Sequence, residues 1–304
     1  MQEKSGAIYS VECHPTEDGR FAIVEHLNGQ SKDVLPKEFS AHATVQEIGG
    51  GSISMRPDGK ILFADENSCN IYLLDPAKSQ TKLIHPADEG IRYAEFSTHP
   101  QNPQWIIAIK EDHREATPET QATHVHNTLV AINLDSGKET TIAQGDDFYS
   151  HPKFSPSGEF VSWIQWTHPD MPWTGTVLHV AEWADGSLMN NRQVAGKAQQ
   201  ESIAQPKWGE DGLLYFASDR TGFWQLYSFN PADQILRYLS LEGFEKSEFA
   251  IAEWELGRYV LDCFGFRTVN CDSSDFNIAL HISRSTRRQL LLQPLQMAPA
   301  RSFL

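Results

Sequence analysis

Residues 148–164 read FYSHPKFSPSGEFVSWI, and the order of residue types in this stretch decides the fold. A strand-like segment leads into the turn Ser155-Pro156-Ser157-Gly158, and the β-branched and aromatic run 159–164 follows it. Proline presets φ for such a turn and glycine accepts a positive φ, so the stretch predicts two antiparallel strands joined by a tight hairpin. The next apolar run, 177–181, supplies a third strand of the same sheet.

The same arrangement recurs along the chain. Equivalent turns are His14–Gly19, Arg56–Gly59, His99–Asn102, Gly209–Gly212 and a degraded copy at Trp254–Gly257. The spacing of roughly 40–58 residues is that of propeller blades, and helical periodicity is nearly absent. We therefore predict an all-β fold, a β-propeller with about six blades.

The repeat predicts one domain over residues 1–304, without an internal boundary. Residues 111–123 are predicted to form a long loop within the third unit. The sequence leaves open whether the ring closes with six blades or with a seventh. Residues 263–304 are either a diverged blade or sequence produced by altered splicing or an altered reading frame. The predicted blades lie roughly at 7–40, 43–85, 90–143, 148–195, 203–240 and 245–292, followed by a tail at 293–304.

Composition narrows the function classes. The net charge of −15 repels phosphate backbones and anionic lipid, which disfavours a nucleic-acid or membrane role. No signal peptide or apolar membrane-spanning run is recognisable. The four cysteines show no C-x-x-C spacing, which is typical of free thiols in a reducing compartment, so we expect a cytoplasmic protein.

Two longer strings are more specific than the turns. Residues 166–176 read WTHPDMPWTGT, and residues 214–227 read LYFASDRTGFWQLY. Together with 148–158, they resemble blades of the N-terminal propeller of prolyl-oligopeptidase-family serine peptidases of the acylaminoacyl-peptidase and dipeptidyl-peptidase type. The resemblance spans residues 7–260 and implies a propeller of the TolB or peptidase kind that acts as a gate and selector for peptides.

The family's catalytic chemistry has no counterpart in the sequence. The Gly-x-Ser-x-Gly elbow exposes the nucleophilic serine beside an oxyanion hole, and it occurs nowhere in the chain. The nearest text, residues 50–54, lacks the closing glycine. We therefore expect a propeller without the α/β-hydrolase domain, and no autonomous serine-peptidase activity.

Several polar and aromatic residues are candidates for a site on the propeller. The catalytic candidates are Glu111, His113 and His168, and the ligand-binding candidates are Arg92, Tyr93, His168, Trp173 and Trp224. His168 and Trp173 belong to a loop stiffened by two prolines, which suits a ligand platform or, equally, packing against a neighbouring loop. Arg92 and Tyr93 are placed at the funnel by the resemblance alone.

Other polar clusters favour a structural interpretation. His124 and His126 share one face of an extended segment but lack further ligands at useful spacing, so we predict no metal site and no cofactor. The charges of Glu111–Arg114 and of Asp219-Arg220 are typical of residues that tie blades together.

Four functions remain open at this stage. The first is a binding module that takes a peptide or small molecule in the central funnel, and the second is a small-molecule enzyme of cyclase, isomerase or lyase type, as in specialised metabolism. The third is a scaffold that binds a protein partner through the face exposing Trp166, Met171 and Trp173. The fourth is a truncated peptidase fragment with an unclosed ring.

Overall fold

The structure is a computed structural model that describes residues 6–240 and 243–257. Its strands form five antiparallel sheets over these residues, and the strands of each sheet follow one another in chain order. The first sheet holds β1 (Ile8–His14), β2 (Arg20–Leu27) and β3 (Gln30–Asp33). The second holds β4 (Ile53–Met55), β5 (Ile61–Ala64), β6 (Ile71–Asp75) and β7 (Gln80–His85). The third holds β8 (Ile91–Thr98), β9 (Trp105–Asp112), β10 (His126–Asn133) and β11 (Glu139–Ala143). The fourth holds β12 (Phe148–Phe154), β13 (Phe160–Trp166), β14 (Val177–Trp183) and β15 (Leu188–Gly196). The fifth holds β16 (Ile203–Trp208), β17 (Leu214–Ser218), β18 (Gln225–Asn230) and β19 (Ile235–Tyr238).

The sheets are arranged as the blades of a propeller, which confirms the predicted fold. The first strands of the second to fifth sheets contact one another in turn, β4 with β8, β8 with β12, and β12 with β16, so these strands lie around the centre. The proposed blade at 245–292 and the tail at 293–304 lie almost entirely outside the described residues. The loop predicted at 111–123 starts later than expected, because Glu111 and Asp112 still pair within the sheet as the end of β9, and its last residues begin one short helix, α1 (Gln121–His124).

The inner strands of the third, fourth and fifth sheets are largely buried because apolar residues lie on both of their faces, whereas the last strands, such as β7 and β19, are partly exposed. Residues Ile61–Phe63 of β5 and Ile106–Ile109 of β9 are completely buried. Layers of side chains between adjacent sheets make the core, as expected for stacked blades. The largest cluster lies between the second, third and fourth sheets around Trp163, Phe96 and Tyr149.

Two faces of the ring are defined by the direction of the first strands. We call the face where these strands begin the upper face, and the face where they end in the hairpin turns the lower face. On the upper face lie the loop before β4, the end of β9 and the start of β12. On the lower face lie the repeated turns, such as Arg56–Gly59, that the sequence predicted.

The neighbouring blade leaves no room for a side chain at Gly158, which lies in the hairpin turn after β12. Its φ is +77°, and a Cβ there would lie 2.3 Å from the ring of His99. That ring is buried, and its Nδ1 accepts the backbone N–H groups of Gln101 and Asn102, so it cannot move without breaking both bonds.

We expect Gly158→Ala to destabilise the protein by well over the ~1–2 kcal/mol that a left-handed alanine costs. The matched control is Gly137→Ala, since Gly137 also has a positive φ of +68° but has open space around it. Urea unfolding of both variants measures the difference. Equal losses of stability would mean that the contact with His99 does not constrain the turn.

Candidate functional site

A cavity of about 350 Å³ opens at the upper face, and we call it the upper cavity. Its walls come from the loop before β4, the end of β9, the segment leading into β10, the start of β12 and the loop after β13. Acidic, imidazole and aromatic groups share the lining, which comprises Gln46, Glu47, Glu111, His113, Thr123, Val125, His126, Asn127, Asp147, Phe148 and His168. All three catalytic candidates named from the sequence therefore lie around one cavity.

Glu111 is the buried centre of this site. Its side chain is only 3% exposed, at the end of β9. Oε2 accepts the backbone N–H of Gln46 at 2.7 Å, and Oε1 accepts a bond from Nε2 of His113 at 2.7 Å. The carboxylate thereby fixes both the loop before β4 and the orientation of the imidazole.

Arg92 lies opposite Glu111 in the β8–β9 ladder. Its Nη1 donates to the carbonyl oxygen of Thr44 at 2.9 Å, to Oε1 of Glu47 at 2.9 Å and to Oε1 of Glu111 at 3.3 Å. One guanidinium is therefore shared by two carboxylates. Glu47 remains 56% exposed at the cavity and can also face a ligand.

Among the residues that the structure describes, two sets of side chains have the geometry for a metal ion. Glu47, Glu111 and His113 each offer one ligand atom within 4.8 Å of the others, and so do His14, Glu17 and Asp33. In the first set Arg92 already occupies the position between the carboxylates, and in the second Arg20 bonds both Glu17 and Asp33. A divalent ion would have to displace an arginine in either place.

His168 forms the opposite wall of the upper cavity. Its ring packs edge-on against Phe148 with centroids 5.0 Å apart, and its backbone N–H donates to Oδ2 of Asp147 at 2.8 Å. Burial raises the pKa of Asp147, but the bonds from Thr167 and His168 outweigh this and leave the pKa below its usual value. Asp147 is therefore a charged group beside an aromatic wall.

Tyr93 does not reach the cavity, because neighbouring residues of a strand point to opposite faces. It is buried, and its hydroxyl donates to Oε2 of Glu139 at 2.6 Å. Burial and this carboxylate raise the pKa of Tyr93 well above its usual range. Its position is that of a core residue between the second and third sheets, next to His85.

Glu139, which accepts the hydrogen bond from Tyr93, makes a pH-dependent contribution to the stability of the fold. Burial acts to raise the pKa of Glu139, but bonds from His85, Lys110 and Tyr93 prevail and hold it at about 2. A lowered pKa stabilises the fold above the ordinary value of 4.5, and this contribution is lost as the pH falls towards 2.

We expect Glu139→Gln to flatten the acid limb of the stability curve between pH 4.5 and 2. The wild-type chain should lose roughly 1–2 kcal/mol more than the variant over this range, after allowance for solvent screening. Urea unfolding as a function of pH measures this difference. The matched control is Glu159→Gln on an exposed turn, which should follow the wild-type curve. An unchanged slope in Glu139→Gln would contradict the assignment.

The tryptophan candidates do not line the upper cavity. Trp173 is half-buried in the loop after β13, and Trp224 packs at the margin of the cluster around Ala217, Leu226 and Phe249. Of the three residues expected on a partner-binding face, Met171 is 44% exposed, whereas Trp166 is 6% exposed and stacks on Phe148. Trp166 therefore supports the wall formed by Phe148.

The central channel contains a polar group of residues that the sequence analysis did not single out. Glu95, His151 and Gln205 are buried at matching positions in β8, β12 and β16, each with φ between +54° and +56° at an irregularity in the strand pairing. Such bulges turn a strand residue out of the ladder. The signal was present in the repeated text His151-Pro152-Lys153 and Gln205-Pro206-Lys207, since proline within a strand marks a bulge.

Residues 249–257 run across this channel. Leu256 N–H donates to the carbonyl oxygen of Gly49, and Gly257 N–H donates to Oε1 of Glu95 at 2.8 Å. Burial raises the pKa of Glu253 to about 7, although nearby His151 acts to lower it. Since the N–H of Phe249 donates to the carbonyl oxygen of Trp224, the segment links the fifth sheet to the loop before β4.

None of the helical segments among the described residues has the length and apolar character that a membrane crossing requires. No protein-family model matches the sequence, and no curated protein matches it.

Solved structures do match the fold. A puromycin-hydrolysing peptidase from Mycobacterium tuberculosis is 29% identical with a TM-score of 0.75, over 87% of this chain and 41% of that one. A puromycin hydrolase is 27% identical with a TM-score of 0.74, over 84% of this chain and 40% of that one. This chain thus spans about two fifths of the length of those peptidases.

An oligogalacturonate lyase in complex with manganese shares the fold at 18% identity and a TM-score of 0.60, over 78% of this chain and 62% of that one. The two peptidase structures confirm that this chain resembles the propeller of prolyl-oligopeptidase-family peptidases.

Proposed function

We propose that this chain is a ligand-binding propeller whose upper cavity takes a peptide or small molecule carrying a positively charged amino group. The observation that carries the proposal is the charge of the cavity. Three carboxylates line it, from Glu47, Glu111 and Asp147, and two of them share the single guanidinium of Arg92. An ammonium group placed beside Glu47 and Asp147 would offset the excess negative charge.

The aromatic wall adds a second element of recognition. Phe148 and His168 present ring edges and faces to the cavity, and a ligand with an aromatic side chain would bury apolar area there. The similar peptidases hydrolyse puromycin, which combines a primary amine with an aromatic amino-acid side chain. Puromycin is therefore a suitable probe for this chain.

The test is thermal unfolding of the purified chain with increasing puromycin. A ligand that binds the native state raises the midpoint, by an amount that grows as RT ln(1 + [L]/Kd). The shift should shrink in Glu47→Gln, which removes one charge at the cavity, and persist in Glu210→Gln, which removes one charge from an exposed turn. No shift in the wild-type chain, or equal shifts in both variants, would contradict the proposal.

A second candidate function is proton-transfer catalysis on a small molecule. It is favoured by the bond between Glu111 and His113, because a buried carboxylate that orients an imidazole is a common arrangement for a general base. His113→Asn should then abolish turnover of the ligand while leaving its affinity within a few-fold. Mass spectrometry of ligand incubated with the wild-type chain decides whether any turnover exists.

A further inference from the structure

Residues 249–257, which we call the crossing segment, belong to no helix or strand and depend on a few contacts for their position. At the start of the segment, Phe249 N–H donates to the carbonyl oxygen of Trp224 at 2.9 Å. At its end, Leu256 N–H donates to the carbonyl oxygen of Gly49 at 3.2 Å. A segment with so few backbone bonds can be released while the sheets around it stay folded.

The loop before β4 is shaped to receive the end of the crossing segment. Gly50 pairs with Leu256 in a parallel bridge, and a Cβ at Gly50 would lie 2.1 Å from the carbonyl oxygen of Leu256. Leu256 is only 6% exposed and joins the largest core cluster. The position of the segment is therefore a packed one, and leaving it exposes apolar surface.

Glu253 lies within this segment, with its carboxylate enclosed. The side chain is 7% exposed, and Oε2 is 3.7 Å from Nε2 of His151 in β12. Among the described residues, Oε1 has no hydrogen-bond partner. The backbone N–H of Gln205 in β16 faces the carboxylate and acts to lower its pKa. A carboxylate with so few partners is costly to bury in its charged form.

A second buried carboxylate lies in the same part of the channel. Glu95 in β8 is 3% exposed, and its two oxygens accept the backbone N–H groups of His151 and Gly257. Burial raises the pKa of Glu253, the charge of His151 acts to lower it, and the negative charge of Glu95 raises it further. Two acidic groups and one imidazole thus lie within reach of one another's charge.

Two lysines belong to the same surroundings. Lys153 of β12 and Lys207 of β16 lie at corresponding positions after the bulges of their strands. Burial lowers the pKa of Lys153, the charge of Glu95 acts to raise it, and the charge of Lys207 lowers it further. Lys153 thus responds to Glu95, whereas the basic group at ion-pair distance from Glu253 is His151.

The pair of Glu253 and His151 is neutral overall when it holds one titratable proton, either as a carboxylic acid beside a neutral imidazole or as a carboxylate beside an imidazolium. When that proton leaves, a bare carboxylate remains in an enclosed site near Glu95. We propose that the crossing segment is a proton-controlled clasp, which stays across the channel while the pair holds its proton and is released when the proton leaves.

The direction of the pH effect follows from burial, which raises the pKa of Glu253 from 4.5 to about 7 while the segment is in place. The stabilisation of the bound segment is therefore complete below pH 4.5 and is lost as the pH rises through about 7. Release also frees Gly49 from Leu256. Since Glu47 lies on the same loop, this wall of the upper cavity should loosen at higher pH.

Hydrogen exchange of the ligand-free full chain, followed by mass spectrometry, tests the clasp. The quantity measured is the protection of the amides of Phe249, Leu256 and Gly257, corrected for the intrinsic exchange rate at each pH. The buried amides of β9 are the internal reference. In the wild-type chain, the protection of the crossing segment should fall by roughly tenfold or more between pH 5.5 and 8, while β9 stays protected.

Three variants separate the proton from other effects of pH. In Glu253→Gln, which has no proton to lose, the protection of the segment should not change over this range. His151→Asn should move the fall to higher pH, because it removes the group that lowers the pKa of Glu253, and asparagine accepts the φ of +56° found at His151. Glu210→Gln removes a charge from an exposed turn and should behave as the wild-type chain does.

Three outcomes would overturn the proposal. The first is a wild-type protection that does not change with pH, and the second is the same pH dependence in the wild-type chain and in Glu253→Gln. The third is an equal fall in the crossing segment and in β9, which would mean that the segment opens only when the whole fold does. No ligand enters this measurement, so the clasp and puromycin binding at the upper cavity succeed or fail separately.

Discussion

Replacement of Trp163 by alanine is expected to lower the stability of the protein by ~3–5 kcal/mol. Trp163 lies in β13 and is completely buried in the largest core cluster. Its ring stacks on His179 with centroids 5.2 Å apart, and its Nε1 donates to Oε1 of Gln165 at 2.6 Å. The variant loses the buried area, leaves a cavity and removes the donor for Gln165.

A thermal scan measures this effect as a fall in the midpoint of roughly 10 °C, at about 2–4 °C per kcal/mol for a chain of this size. The control is Met189→Ala, because Met189 is 54% exposed and its truncation should cost under ~0.5 kcal/mol. A loss in Trp163→Ala below ~1 kcal/mol would contradict the packing described between the blades.

Replacement of Glu111 by alanine is expected to have the largest effect on the site. The variant removes the carboxylate that accepts three hydrogen bonds, from the backbone N–H of Gln46, from Nε2 of His113 and from Nη1 of Arg92. Because Arg92 keeps Glu47 as a partner, we expect a loss of stability of roughly 2–3 kcal/mol rather than the full cost of an unpaired charge.

The same change should weaken binding of an amine at the upper cavity by tenfold or more, since the loop that carries Glu47 loses its anchor at Gln46. Urea unfolding and ligand titration measure the two effects. Glu111→Gln keeps the shape and should recover part of the stability but not the charge, and Glu159→Ala on an exposed turn should change neither quantity. If the folded Glu111→Ala variant bound the amine with wild-type affinity, Glu111 would have no part in binding at the upper cavity.

The sequence predicted the fold well because its signals are local. The turn at 155–158 joins β12 to β13, and the predicted run 159–164 lies almost wholly within β13. The same holds for the turn at 56–59 and β5. A blade is a meander of adjacent strands, so turn chemistry and strand propensity are sufficient to identify it. Most of the predicted blade at 245–292 lies outside the described residues.

The site was harder to predict because it is assembled from distant segments. Glu111 bonds the backbone of Gln46, which is 65 residues away along the chain. No local pattern indicates that contact, nor that Arg92 would bridge Glu47 and Glu111. Tyr93 was placed at the funnel by resemblance alone, whereas strand alternation turns it towards the core and Glu139.

The most direct test of the proposed function is a calorimetric titration of the wild-type chain with puromycin and with N-acetylpuromycin. The two compounds share every aromatic group and differ at the amino group, which is positively charged in the first and neutral in the second. Recognition through the carboxylates of the upper cavity predicts that puromycin binds at least tenfold more tightly, a difference of ~1.4 kcal/mol. Equal affinities, or binding of neither compound, would contradict it.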